Sequence, residues 1–534
     1  MRLRLFLLVL SLLLLAAHTP SAPPAVEQNG YQLIVPSLLG AHLRFLSSDE
    51  LEGRETAKRG QKIAARYIAS HFERLGLKPL GDSGTYFQKF FVRERRLGSS
   101  NEIALKVGNS THSFHKLFED FAFSLRGAQA TKLSGSVVFC GYGIRDKKLN
   151  YSDYNGINAK GKIVLLLSGL PQSGNSTPEF ERWHDPYTKY LAALESQPLA
   201  VFIVLGHSST PSLKEQFESR KDQLAMSTMA LTSSNPSITL DARPTAVPLV
   251  FISAQVANTM LAPLHKTVDA LASSFTSQPL KPLSFELKQV TASLTIDIVE
   301  EILQSENVCA MLEGSDSTLK NEAIVYSAHY DHVGVGISGN IFNGADDDGS
   351  GTSAVLALAE AFAKNSTRPP RSIIFLAFAG EEKGLLGSKF YTDYPRFLLK
   401  QTIANLNIDM IGRLDEKYEQ LGNSNYVYVI GSDKISKDLD AVLQEQNRLS
   451  VNLTLDYRYN DDNDPNRFYY RSDHYNFAKH GIPVIFFFNG THADYHEPTD
   501  DFEKIDLEKM AKIVRLTFAV GWELGHRRAV LHRN

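Results

Sequence analysis

Along the C-terminal half of the chain, apolar residues gather in short unbroken runs, and helix-length segments follow several of them. The runs at 323–327, 372–379, 403–410, 426–430 and 483–488 have the size and composition of strands. Residues 352–364, 383–391 and 435–446 have the length and apolar recurrence of helices. Strand then helix, repeated, predicts an α/β fold with a mainly parallel, mixed central sheet and helices on both faces. Upstream, 35–46 reads as a helix, and Ile63, Tyr67, Ile68, Phe72 and Leu75 form one stripe at helical spacing, with Gly76 where a C-terminal cap belongs. Between these regions the texture changes. Strand-sized runs at 137–139, 163–167, 200–205 and 249–252, with one helix-like segment at 187–194, are separated by long stretches rich in Gly, Ser and Pro. This predicts an inserted β-rich domain over 131–297, interrupting a larger α/β domain built from 31–130 and 298–528.

Composition narrows the class. The 534 residues, 43% hydrophobic and 22% charged, are enough for more than one core. A net charge of -3 gives no electrostatic case for a nucleic-acid partner. Arg2 and Arg4 precede an apolar run over 5–17 and then small and polar residues around Thr19 to Ala22, the pattern of a secretory signal peptide over 1–22. The expected location is therefore periplasmic or secreted. No later run reaches the roughly 18 apolar residues of a transmembrane helix, so stable membrane insertion is not expected. Two cysteines, Cys140 and Cys309, exclude a disulfide scaffold and leave open whether they pair.

Candidate chemistry falls at strand ends. His329 and Asp331 follow the run at 323–327, and Asp346, Asp347 and Asp348 lie on the loop entering the next helix. Glu381 and Glu382 follow the run at 372–379, Asp409 ends the run at 403–410, and His496 comes after 483–488. The crevice beyond the carboxyl ends of strands is where open α/β sheets bind ligands. Imidazoles with several carboxylates suit zinc, with Co2+ or Mn2+ as substitutes. A shared carboxylate can also hold two ions ~3.5–4 Å apart. Taken singly, an acidic pair after a strand reads as a solvated turn and a triple Asp before a helix as an N-cap; the combination at one sheet edge is what argues for a site. His332, His474, His480 and His492 fit supporting or surface positions better than ligand positions. Arg54, Arg467 and Arg471 are candidates for touching substrate, but Arg54 reads better as a solvated or structural arginine and Arg467 and Arg471 as members of ordinary salt bridges.

The motifs HYD at 329–331, GADDDGSG at 344–351, AGEEKGLLGS at 379–388, NIDMIGR at 407–413, RSDH at 471–474 and DYHEPTD at 494–500 resemble the di-zinc aminopeptidase family of clan MH metallopeptidases. That group includes leucyl-type aminopeptidases, glutamate carboxypeptidase II and glutaminyl cyclases. The resemblance implies a zinc-exopeptidase (phosphorylase/hydrolase-like) fold and two Zn2+ ions. His329 and Asp409 would hold one ion, Glu382 and His496 the other, with Asp347 between them and joined to Asp348 by a cis peptide. Asp331 would orient His329, and Ser472, Asp473 and His474 would support the site from behind. Glu381 is implied as the general base for a metal-bridging water, and Tyr495 as donor to the oxyanion. The implied function is an exported metallo-aminopeptidase acting on peptide substrates. A same-fold carboxypeptidase or glutaminyl cyclase, and a non-catalytic receptor-like binding protein, are the alternatives. The insert resembles a protease-associated domain in position and texture.

Overall fold

The most continuous apolar runs become the centre of a ten-stranded mixed sheet. In the computed structural model, residues 23–125, 127–171, 178–207, 210–233, 247–275 and 281–534 are described; the expected signal peptide over 1–22 lies outside them. The chain divides into two compact units. The first comprises Met1–Arg93, Met229–Ser234 and Ile302–Asn534. Its sheet strands are β1 (Lys78–Pro79), β2 (Phe87–Leu97), β3 (Thr228–Thr232), β4 (Ile298–Leu312), β5 (Ala323–His329), β6 (Ser372–Phe378), β7 (Thr402–Ile408), β8 (Tyr426–Ile430), β9 (Thr454–Asp456) and β10 (Val484–Phe488). They lie in the order β3-β2-β4-β6-β5-β7-β10-β8-β9, with β1 on β4. The neighbours β6, β5, β7 and β10 are parallel, while β4 on β6 and β8 on β10 are antiparallel.

Every residue of β5, β6, β8 and β10 is buried. A strand buried on both faces has no polar side to alternate with, hence its unbroken apolar run. The two faces are nevertheless distinct. Ile324, Tyr326 and Ala328 point into one core cluster, whereas Ala323 and Val325 point into another. The first cluster is closed by α1 (Pro36–Leu46), α2 (Arg59–Arg74), α3 (Gly351–Lys364), α5 (Lys437–Leu449) and α6 (Leu507–His526), the second by α4 (Leu386–Asp393) and Phe477. Helices therefore cover both faces, as the alternation predicts. Gly76, at φ +69°, ends the turn after α2 in the left-handed conformation that glycine tolerates best. No helix among the described residues is long and apolar enough to cross a membrane.

The second unit comprises Glu94–Thr228 and Asn235–Glu301. Its eight-stranded sheet runs Ser110–Phe114, Glu102–Val107, Ser284–Ile296, Thr131–Cys140, Ile163–Leu167, Ala200–Leu205, Leu249–Ser253 and Phe121–Ala122 in spatial order. Strands from 102–114, upstream of residue 131, thus pair in this sheet. Cys140 and Cys309 are both buried and unpaired, and burial raises each thiol's pKa, to about 12 for Cys140.

Arg54 is a structural residue of the first unit. It is 1% exposed, and its guanidinium donates to the carbonyl oxygens of Leu46, Tyr330 (2.9 Å), Asn343 (2.6 Å) and Gly344 (2.9 Å). It ties the end of α1 to the loops that follow β5. Replacing it with an apolar residue strands four acceptors in the interior, so Arg54→Met is expected to lower unfolding free energy by about 3 kcal/mol or more in urea titrations. A loss below about 1 kcal/mol would mean that these carbonyls find other donors.

Candidate metal centre

Register brings the candidate residues level. Across the parallel strands, His329 pairs with Phe378, Ser327 with Asn407 and Ile408 with Phe487, so β6, β5, β7 and β10 all end at one rim. His329 is the last residue of β5 and Asp409 the first after β7; Glu381 and Glu382 follow β6, and His496 follows β10. Asp346, Asp347 and Asp348 occupy the loop leading into α3. That loop needs Gly344: it sits at φ +56°, and a Cβ there would lie 2.2 Å from the Asp347 carbonyl oxygen and 2.4 Å from the His332 ring.

Asp347 is the meeting point. Its Oδ1 is 3.2 Å from His329 Nε2, and its Oδ2 is 3.0 Å from His496 Nε2. On the first side, Asp409 Oδ1 lies 3.6 Å from His329 Nε2; on the second, Glu382 Oε2 lies 3.1 Å from His496 Nε2. Glu381 Oε2 stands 3.9 Å from His329 Nε2. The five sequence-predicted ligand residues and Glu381 are therefore brought together, one carboxylate oxygen of Asp347 serving each side. The peptide bond between Asp347 and Asp348 is cis.

The donor chemistry fits divalent cations. Metal–N and metal–O bonds of about 2.0–2.1 Å in a tetrahedral site put donors roughly 3.3 Å apart, and the separations above scatter around that value. Charge argues the same way. Asp331, Asp347, Asp348 and Asp473 are at most 3% exposed. Burial, reinforced by Glu382 and Asp409, pushes the Glu381 carboxyl well above its usual range, and burial with Asp409 does the same to Asp348. Although burial opposes it, Glu381 and Asp409 hold the His329 pKa well above ordinary, and Glu382 with Asp347 does so for His496. The rim therefore stabilises positive charge at its centre.

Supporting contacts come from the backbone as much as from side chains. Asp348 accepts from the N–H groups of His329 (3.2 Å), Gly351 (2.8 Å) and Met410 (3.1 Å), joining β5, α3 and the turn after β7. His329 Nδ1 lies 3.1 Å from the carbonyl oxygen of Asp331 and 3.8 Å from its carboxylate, so the main chain is the nearer partner. The carboxylate of Asp331 instead accepts from Thr56 Oγ1 (2.6 Å) and the Glu381 N–H (3.2 Å). Ser472 Oγ donates to Asp409 Oδ2 at 2.6 Å. Burial, with Asp409 and Asp331 nearby, pushes Asp473 up to about 7. The His474 ring stacks on Phe486.

Tyr495 stacks on His496 at 4.0 Å, and its hydroxyl accepts from Arg471 Nη2 at 3.2 Å. Both line a cleft with His329, Asp347, Glu381 and Asp409, walled by Met410, Phe468, Phe486, Phe488 and Thr491. Arg467 packs over Tyr470 instead. Two further residues of the centre have no ligand role in the sequence pattern. Asp500 accepts from the N–H groups of Asp346 (3.0 Å) and Asp347 (3.1 Å); it ends the DYHEPTD motif, which was its only signal. His332, better suited by sequence to a supporting or surface place, is wholly buried, with Nδ1 2.8 Å from Glu382 Oε1. His492 is also inside, its Nε2 3.2 Å from Asp346 Oδ2.

Comparison with known proteins agrees with this geometry. Residues 307–521, which contain all six motifs, match the model of peptidase family M28. The chain is 32% identical over 222 residues to aminopeptidase YwaD of Bacillus subtilis (strain 168), an alignment covering 38% of this chain and 42% of that protein. It is 27% identical over 285 residues to the probable aminopeptidase YDR415C of Saccharomyces cerevisiae, covering 49% and 72%. The alignment thus spans less than half the length of the Bacillus relative. Among solved structures, the aminopeptidase from Aneurinibacillus sp. strain AM-1 aligns over 94% of this chain and 97% of its own, with TM-score 0.53 and 19% identity. BSAP, a zinc aminopeptidase from Bacillus subtilis, aligns over 93% and 97%, with TM-score 0.52 and 20% identity. At those identities the likeness is one of fold.

Because Asp500 holds the backbone of the shared carboxylate, Asp500→Ala is expected to weaken zinc binding by roughly 10–100-fold in chelator competition. Unchanged affinity would show that the loop keeps its shape without that acceptor.

Proposed function

We propose that this chain is an exported two-ion metallo-aminopeptidase that removes N-terminal residues from peptides. The observation that carries the reading is the position of Asp347, one oxygen toward His329 and Asp409, the other toward Glu382 and His496. In this reading these five residues are the ligands of two zinc ions, with Co2+ or Mn2+ as replacements. Bound there, the ions would polarise the peptide carbonyl and lower the pKa of water.

The chain's own groups supply the rest. Glu381 faces the cleft beside His329, Asp347 and Asp409 and would take a proton from the attacking water and return it to the departing amine. Tyr495 accepts its hydrogen bond from Arg471, which leaves the phenolic O–H free to donate to the oxyanion as it forms. Carboxylates at the rim attract a free α-ammonium group, and Phe468, Phe486, Phe488 and Met410 offer an apolar wall to the first side chain. Asp348, Asp331, Ser472, Asp473 and His474 position the ligands rather than hold ions. The second unit is read as a protease-associated-like insert, and the N-terminal 22 residues as the export signal.

Aminoacyl arylamides and short free peptides are expected to be cleaved and N-blocked peptides spared. Hydrolysis of blocked substrates alone would overturn the aminopeptidase reading and favour the carboxypeptidase, whose carboxylate partner would be Arg471. Cyclisation of N-terminal glutamine with one bound ion would favour the cyclase. Glu381→Ala is expected to retain both ions by metal analysis while turnover falls at least about 10²–10⁴-fold; near-normal turnover would place the base elsewhere.

A further inference from the structure

Polar side chains interrupt the apolar runs at the middle of the sheet. Ser327 stands in β5, Asn405 and Asn407 in β7, and all three are fully buried. Register puts Asn405 between Val325 and Val484, and Asn407 between Ser327 and Phe486. Val325 and Val484 belong to the apolar cluster on that face. Polar groups buried there cost free energy unless they are bonded, and an apolar set of the same shape would hold the sheet about as well. Packing alone therefore gives no reason for them.

Their hydrogen bonds lead to the rim. Asn405 Nδ2 donates to Ser327 Oγ (2.8 Å), and Ser327 Oγ donates to Asn407 Oδ1 (2.6 Å). Asn407 Nδ2 then donates to Ser472 Oγ (2.8 Å), and Ser472 Oγ to Asp409 Oδ2 (2.6 Å). The last link fixes the direction of the others. A carboxylate only accepts, so the single hydroxyl proton of Ser472 goes to Asp409. Asn407 must then meet Ser472 with its amide nitrogen, which turns its oxygen to Ser327. Ser327 in turn must donate to that oxygen and accept from Asn405. With Oδ2 of Asp409 engaged, Oδ1 is the oxygen left facing His329 Nε2.

We propose that Asn407 is a positioning residue for the ion held by His329 and Asp409, acting through Ser472. The proposal rests on the two-ion reading above and deepens it. Asn407 grips the Ser472 oxygen from behind, and Ser472 pins the Asp409 carboxylate so that one of its oxygens is turned to the centre. The buried chain ends on Asp409 rather than on Glu382 or His496, so its effect falls on one half of the centre. Orienting a ligand through its free oxygen is how such partners raise metal affinity.

Anomalous diffraction from crystals of the full zinc-loaded chain, transferred to graded chelator, reads the occupancy of each position separately. In Asn407→Ala the position beside Asp409 is expected to empty at chelator strengths roughly 10–100-fold below those needed for wild type, while the position beside Glu382 keeps its ion as in wild type. The triple variant Ser327→Ala/Asn405→Leu/Asn407→Leu removes the partners together, with leucine matching asparagine in heavy-atom shape. It is expected to fold and to show the same selective loss, and it decides the matter should Asn407→Ala not fold. Equal loosening of both positions, the mark of a purely structural role, overturns the assignment, as does wild-type retention at both. A wild-type chain with one zinc position overturns the two-ion reading itself; two positions without selective loss overturn only the place given to Asn407.

Discussion

Mutual repulsion among buried carboxylates is the constraint to which this structure answers. Asp331, Asp347, Asp348, Glu381, Glu382, Asp409 and Asp473 crowd one rim, and an unpaired charge away from water is costly. The fold meets that cost by aiming donors at each acid. Asp348 takes three backbone N–H groups, Asp331 a hydroxyl and an N–H, and Asp409 the Ser472 hydroxyl. Oxygens of Asp347, Glu382 and Asp409 that face the histidines are left with imidazoles, too few to balance them. Cations are what such a remainder attracts.

The sheet makes the crowding possible. Acids scattered from Asp331 to Asp473 meet because parallel strands share a direction and their ends fall level. Helices on both faces then leave the carboxyl rim as the open border of the core, where polar groups can be dense without breaking apolar packing.

Much of this was legible in the sequence, and the gaps have physical causes. Strands buried on both faces announce themselves as continuous apolar runs, so Ile163–Leu167, Ala200–Leu205 and Tyr426–Ile430 match expectation residue for residue. The long strands Phe87–Leu97 and Ile298–Leu312 were missed because much of each is only partly buried and its sequence is correspondingly polar. Helix α6 was passed over as well, its amphipathic pattern lying beyond the last motif. At the centre, side chains placed at strand ends were readable, but contacts through the main chain were not. Asp500 acts on N–H groups that no side-chain pattern encodes, and His329 is oriented by a carbonyl oxygen rather than by the acid expected. His332 looked ordinary because its partner Glu382 lies 50 residues away, on the far side of a strand register.

The spread of the donors along the chain also bears on how the molecule holds together. They come from several strand ends and the loop into α3, so the full set of pairings around Asp347 is complete only when segments from His329 to His496 have assembled. Closing loops of that length is entropically demanding, yet the added demand grows only slowly with length. Whatever binds at the rim therefore stabilises the assembled sheet against the unfolded chain as a whole, by mass action. The centre would serve as a clasp for the tertiary structure as well as a place for chemistry, and chelation would loosen distant strands together rather than one turn at a time.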